Sequence, residues 1–160
     1  MEERELTPEE LAAIPQAPGK VNKGASVWYD SGKGKIYVAR APREGMVTKL
    51  FYLTCQAVDD LRFSIVVSSV DTGKHAPRSR HYTGRAEDIS DVHVYGEAYQ
   101  AATMANEHAR RLVEWFIAHG FHAGRESGAY NAVLFGPVGG VWNKTSSDHS
   151  DHIHSSVYSP

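Results

Sequence analysis

Ser79-Arg80-His81-Tyr82-Thr83-Gly84-Arg85-Ala86-Glu87-Asp88 sets an imidazole and a carboxylate on either side of a Gly-containing turn, and Asp151-His152-Ile153-His154 answers it close to the C-terminal end of the sequence. A His and an Asp so arranged reach one cation across the turn, and a distant His closes a three-ligand site whose fourth position is left for water. The C-terminal segment 152–158 reads as a strand. Period-two geometry then projects His152 and His154 from one face and Ile153 from the other, so both imidazoles enter one site.

Outward from these motifs, the chain alternates helical and extended patterns. Upstream, Val47, Leu50, Phe51, Thr54 and Val58 recur at three- and four-residue intervals, which predicts an amphipathic helix from Met46 to about Asp60. A strand rich in β-branched residues follows over 62–69 and delivers the chain into a Gly- and Pro-containing loop, 71–80, directly before His81. Downstream, the pattern predicts a long helix over 97–119 with Ala105, Ala109, Leu112, Val113 and Phe116 on its buried stripe and Gly120 ending it, then a strand over 131–135. In front of all this, Thr7-Pro8-Glu9-Glu10 carries the signals of a short helix start, with a capping Thr, Pro at the first helical position and Glu three residues after the cap. Val27-Trp28-Tyr29, a Ser31-Gly32-Lys33-Gly34 turn and Lys35-Ile36-Tyr37-Val38 read as a β-hairpin. These elements predict two regions: an N-terminal extension, residues 1–44, packed on or beside the core, and a motif-bearing domain, residues 45–160.

Bulk composition narrows the function classes. A chain of 160 residues buries one sizeable core. With 17 Lys and Arg against 19 Asp and Glu, scattered and summing to −2, it lacks the basic stripe of a nucleic-acid binder. The single Cys55 falls on an apolar helix face and reads as a buried free thiol, neither half of a disulfide nor a metal ligand. Met1-Glu2-Glu3-Arg4-Glu5-Leu6 is acidic where a signal peptide is basic and then apolar, and no run reaches the length of a membrane span. The expectation is cytoplasmic synthesis without a membrane span.

The paired motifs resemble those of the zinc D-Ala-D-Ala carboxypeptidase family, peptidase M15, whose wider group includes phage L-alanyl-D-glutamate endopeptidases and the hedgehog signalling domain. The family pattern Ser-x-His-x-x-Gly-x-Ala-x-Asp is filled by Ser79, His81, Gly84, Ala86 and Asp88, and the second motif by Asp151, His152 and His154; the likeness covers roughly residues 46 to 158. The resemblance implies an α+β fold with a small central antiparallel sheet that carries the site, flanked by helices. It further implies one Zn²⁺ held by His81, Asp88 and His154, with Asp151 as the proton-transferring carboxylate; His152, sharing a strand face with His154, is the candidate catalytic group that orients the bound carbonyl or stabilises the oxyanion. The substrate implied is the peptide part of bacterial peptidoglycan, cut at a bond involving a D-amino acid. Because that substrate lies outside the cytoplasm, a chain without a leader is expected to reach it by lysis, as a phage endolysin does, or as part of a phage particle.

One family feature is replaced. Members usually carry an aromatic-Arg pair after the strand that precedes the first motif, and here that place reads Ser69-Val70-Asp71. Arg78 and Arg80 are the candidates for a guanidinium from another direction, and with Ser79 they form the candidate substrate-binding group. Asp148 and His149 fall in a Ser-rich stretch, read as a loop and thus a poor mount for a ligand. His119 reads as a cap at a helix C-terminus and His122 as a loop residue. The Asn143-Lys144-Thr145 sequon carries no weight without a secretory signal.

Overall fold

A computed structural model describes residues 4–5, 26–39, 46–70 and 79–159. The short helix expected after Thr7 and the candidate Arg78 lie outside them. The chain order is β1 (Arg4–Glu5), β2 (Ser26–Asp30), β3 (Lys35–Val38), α1 (Thr48–Leu61), β4 (Phe63–Ser69), a short 3-10 helix (Arg80–Thr83), β5 (Ala86–Val94), α2 (Glu107–Ala118), β6 (His122–Ala123), β7 (Ala132–Gly136) and β8 (His149–Ser156). The fold is α+β, as expected. Its sheet is larger than the small antiparallel one anticipated: eight strands in the order β1-β2-β3-β4-β5-β8-β7-β6, mixed because β3 runs parallel to β4 and β6 to β7. The difference arises at the N-terminal side, where the β2–β3 hairpin joins the edge of β4 and continues the sheet.

Both helices pack on one face of this sheet. Leu50, Ala57 and Val58 of α1 and Ala109, Leu112, Val113 and Phe116 of α2 share a core with Ile36, Val38, Ile65, Val67, Ile89, Val133 and Ile153. This apolar layer is what holds the strands in register, since each large side chain removed from water contributes about 1.5–3 kcal/mol. The opposite face carries a small apolar cluster, Val27, Tyr37 and Val66, and the polar residues of the motifs. Among the described residues no helix is long and apolar enough to cross a membrane. Cys55 is buried and unpaired on α1, and burial pushes its thiol up to about 12, which keeps it protonated and unreactive.

Two local readings are corrected. The helix expected over 97–119 begins only at Glu107, because Asn106 caps it: its side-chain Oδ1 accepts from the backbone N–H of His108 at 2.9 Å and of Ala109 at 3.2 Å. The preceding residues run instead beside β5, where Ala101 bridges Asp91 and the Gln100 N–H donates to Asp91 Oδ2 at 2.5 Å. The long strand β5 was not anticipated; its sequence, Ala86-Glu87-Asp88-Ile89-Ser90-Asp91-Val92-His93-Val94, is half polar.

The hairpin meets α1 at a contact that admits no side chain. A Cβ on Gly34 would stand 2.6 Å from both the Val58 carbonyl carbon and Asp59 Oδ1, and 2.7 Å from the Asp59 nitrogen. Asp59 is itself tied down there, accepting from Ser31 Oγ at 2.5 Å and from the Tyr29 hydroxyl. Helix backbone cannot retreat as a flexible side chain would, so Gly34→Ala is expected to cost about 1–3 kcal/mol. Thermal unfolding should show this as a Tm lowered by several degrees, and an unchanged Tm would place the hairpin off the helix.

Candidate metal centre

The first motif folds into a turn that aims one imidazole. The Ser79 side chain accepts from the His81 backbone N–H at 3.2 Å and so caps the 3-10 helix Arg80–Thr83. Gly84 then takes the left-handed conformation at φ 69, open to glycine at no steric cost, and its N–H donates to the His81 carbonyl at 3.0 Å. Ala86 is fully buried where β5 pairs with β8, opposite Ser156. Ser79, Gly84 and Ala86 thus shape the turn and let β5 enter the sheet. Ser79, expected on the substrate side, serves here as the cap.

His81 lies at 3% exposure, and its Nδ1 is 2.6 Å from the Val70 carbonyl at the end of β4. A carbonyl only accepts, so Nδ1 carries the proton and Nε2 is presented as a lone pair. The second motif enters on β8, which pairs antiparallel with β5 so that Asp88 stands directly opposite His154 and Ile89 opposite Ile153. Ile153 is fully buried in the helix-side core, whereas His152 and His154 both reach Asp88, as the period-two reading requires.

Three donor atoms converge. His81 Nε2 is 3.1 Å from His154 Nδ1 and 3.3 Å from Asp88 Oδ1, and His154 Nδ1 is 3.3 Å from the same oxygen. Ligands about 2.0–2.1 Å from a tetrahedral zinc stand about 3.3–3.4 Å from one another, so two imidazoles and a carboxylate at these separations fit that ion. The electrostatics point the same way. His154 Nε2 is in close contact with Glu126 Oε2, a carboxylate that can only accept, so in neutral His154 the proton sits on Nε2 and Nδ1 is a bare lone pair. Three lone pairs then face each other in a nearly dry site, an arrangement that only a cation or an added proton relieves. In the metal-free protein the proton serves: burial alone would lower the His154 pKa, but Asp88 and Glu126 outweigh it and raise the group to about 9. The same imidazoles hold Asp88 far below the usual carboxylate range despite its burial.

Around this centre the remaining candidates separate. Asp151 is exposed, its side chain 87% accessible, and accepts from His152 Nδ1 at 2.6 Å. His152 Nε2 lies 3.8 Å from Asp88 Oδ1, at the solvent side of the cluster. Arg80 is not a solvent-side guanidinium. It is 8% exposed and turns inward, with Nη1 donating to the Tyr130 carbonyl at 2.9 Å and Ser156 Oγ at 3.2 Å, and Nη2 to the Gly128 carbonyl at 3.4 Å. His149 also departs from its loop reading, because β8 begins at that residue. Its ring centroid lies 4.9 Å from that of His152 and 5.9 Å from that of His154, which makes it part of the wall of the site.

Asn143 holds that wall. It is fully buried, donates to the Gly136 carbonyl at 3.0 Å and the Ser147 carbonyl at 2.7 Å, and accepts from the Thr145 N–H at 3.0 Å. An amide so engaged is a loop brace and not a glycosylation acceptor in the folded chain. His119 does cap its helix, with Nδ1 2.7 Å from the Trp115 carbonyl, while His122 starts the short strand β6. Glu126 is the residue that sequence reasoning missed; no spacing links it to either motif. No family model, curated protein or solved structure matches the chain.

Proposed function

We propose that the chain is a zinc-dependent peptidase of the hedgehog/DD-peptidase fold type that hydrolyses an amide bond in the peptide part of bacterial peptidoglycan. The observation that carries the reading is the convergence of His81 Nε2, Asp88 Oδ1 and His154 Nδ1 at the mutual distances of zinc ligands. His81, Asp88 and His154 would hold the ion, which when bound supplies a Lewis acid and lowers the pKa of water toward about 7. Asp151 is the proton carrier, accepting a proton from the attacking water and handing it to the leaving amine; its exposure leaves it open to a substrate arriving from solvent. His152 donates from Nδ1 to Asp151 and holds Nε2 at the solvent side of the cluster beside Asp88; with both ring nitrogens protonated, it would donate from Nε2 to the carbonyl oxygen as negative charge develops there. The paired motifs supply the substrate class by resemblance, and the phage endopeptidases of that group favour a phage or prophage lytic enzyme acting on the wall after lysis or from a virion.

Mass spectrometry of purified muropeptides incubated with the zinc-loaded protein tests this directly, with chelator-treated protein and Asp151→Ala alongside. The expected result is one product whose mass names the bond, lost on chelation and reduced about 10²–10⁴-fold by Asp151→Ala while zinc stays bound. That product mass also separates carboxypeptidase from endopeptidase action. A second reading, a zinc-retaining binding module or virion component without turnover, is favoured by Ser69-Val70-Asp71 in place of the family guanidinium and by the inward turn of Arg80. Intact muropeptides across a broad stem-peptide panel despite bound zinc would select it.

A further inference from the structure

The loop between β6 and β7 brings a carboxylate to the back of the His154 ring, on the side away from the ligand cluster. Glu126 Oε2 contacts His154 Nε2, while His154 Nδ1 faces His81 and Asp88. The Glu126 side chain is 18% exposed, so the contact is largely dry and accordingly strong.

The loop is fixed from the first motif. Arg80, the residue before the ligand His81, spans to the carbonyls of Gly128 and Tyr130 in the loop and to Ser156 Oγ on β8. The loop closes on itself as well: the Ser127 and Tyr130 hydroxyls lie 3.0 Å apart, and Tyr130 stacks on His122 with ring centroids 4.1 Å apart. Arg80 therefore ties the turn that aims His81 to the loop that aims His154.

We propose that Glu126 is the positioning residue of the metal centre: it accepts the His154 Nε2 proton, fixes the tautomer whose Nδ1 lone pair faces the cation, and is itself seated by Arg80. This rests on the zinc reading of the site. The chemistry is the carboxylate-imidazole-metal relay, in which the carboxylate sets ring orientation and raises ligand basicity. Asp88, an acceptor already committed on the Nδ1 side, cannot perform it.

The test uses the full chain with Glu126→Ala and Glu126→Gln. Zinc affinity is measured by competition with a chromophoric chelator, and long-range ¹H–¹⁵N spectra report which His154 nitrogen bears the proton, with and without zinc. Glu126→Ala is expected to weaken zinc binding about 10–100-fold and to remove the slowly exchanging Nε2 proton. Glu126→Gln, whose amide oxygen still accepts, is expected to keep that proton and most of the affinity, which a general loss of folding would not do. Unchanged affinity and an unchanged Nε2 proton in Glu126→Ala, or zinc on Nε2 in the wild type, would overturn the inference while leaving the peptidase reading standing. If the wild type binds no zinc, that reading falls, and loss or retention of the slowly exchanging Nε2 proton in Glu126→Ala alone decides whether Glu126 holds it.

Discussion

Asp88→Asn is expected to abolish tight zinc binding and, with it, every zinc-dependent activity of the chain. One carboxylate oxygen stands 3.3 Å from His81 Nε2, 3.3 Å from His154 Nδ1 and 3.8 Å from His152 Nε2, so it is the anion around which three imidazoles are arranged. Asparagine keeps the shape and removes the charge, leaving a dication with two neutral nitrogen ligands in a site that is mostly excluded from water. Residues standing only behind metal ligands cost 10–100-fold in affinity when lost, so losing the anionic ligand should cost more than about a hundredfold. Chelator competition on the full chain reads this, and an affinity within a few-fold of wild type would remove Asp88 from the ligand set. The pH dependence has a definite sign. Zinc must displace the proton from His154, whose pKa is raised from 6.5 to about 9, so affinity should climb with pH through the neutral range and level off above about 9. Asp88→Asn removes the first of the carboxylates that sustain that raised value, so the remaining weak binding should level off at lower pH.

The convergence of His81, Asp88 and His154 was legible because it rests largely on local geometry. Two imidazoles on alternate strand positions share a face whatever the rest of the fold does, and a Ser-x-His-x-x-Gly turn carries its own cap and its own left-handed glycine. β5 was illegible for a physical reason: Glu87, Asp88 and Asp91 are residue types depleted from strands, and here they occupy a central one because tertiary partners satisfy each of them. The overlong reading of α2 has a different origin. The apolar period was real, but Asn106 supplies a side-chain acceptor that starts the helix ten residues later than the period suggested. Glu126 belongs to a third kind. It lies 28 positions from His154, and only the parallel pairing of β6 with β7, together with the Arg80 bridge, brings its loop to the ring. The partners of Arg80 were out of reach of the sequence for the same reason, since the carbonyls it bonds lie 48 and 50 positions away.

The largest effect on stability is expected from Glu87, the neighbour of Asp88 on the opposite face of β5. Its side chain is fully buried beneath α1, with Thr54 Oγ1 at 3.1 and 3.2 Å from its two oxygens and Ser155 Oγ at 3.2 Å. Thr54 has one hydroxyl proton, and the Leu50 carbonyl at 2.8 Å is its nearer acceptor. An ionised Glu87 competes with the Leu50 carbonyl for that single proton, whereas a protonated Glu87 can donate to Thr54 and leave the hydroxyl proton on Leu50. Burial, with the negative charge of Asp88 added, agrees by raising the Glu87 carboxyl from 4.5 to about 8, against the opposing pull of the two hydroxyls.

The stability consequence follows from proton counting. Between about 4.5 and 8 the folded chain holds a proton that the unfolded chain has released, so stability is greatest below the unfolded value and is lost as pH rises through the folded one. The full loss is on the order of a few kcal/mol. Glu87→Gln is isosteric and permanently neutral, and its amide can donate to Thr54 as the carboxylic acid does. In chelator-treated protein the variant should match the wild type near pH 5 and exceed its Tm by several degrees near pH 9. His154, raised in the folded state, also sheds stability above 6.5, but it does so in both proteins and cancels in the difference. Equal pH slopes for the two proteins would mean that Glu87 is ionised in the core. A neutral Glu87 has a meaning for the site as well: adjacent residues on one strand would otherwise place two negative charges across a single backbone step. Keeping the helix-side carboxyl protonated leaves Asp88 as the only anion of that pair, facing the imidazoles of His81 and His154.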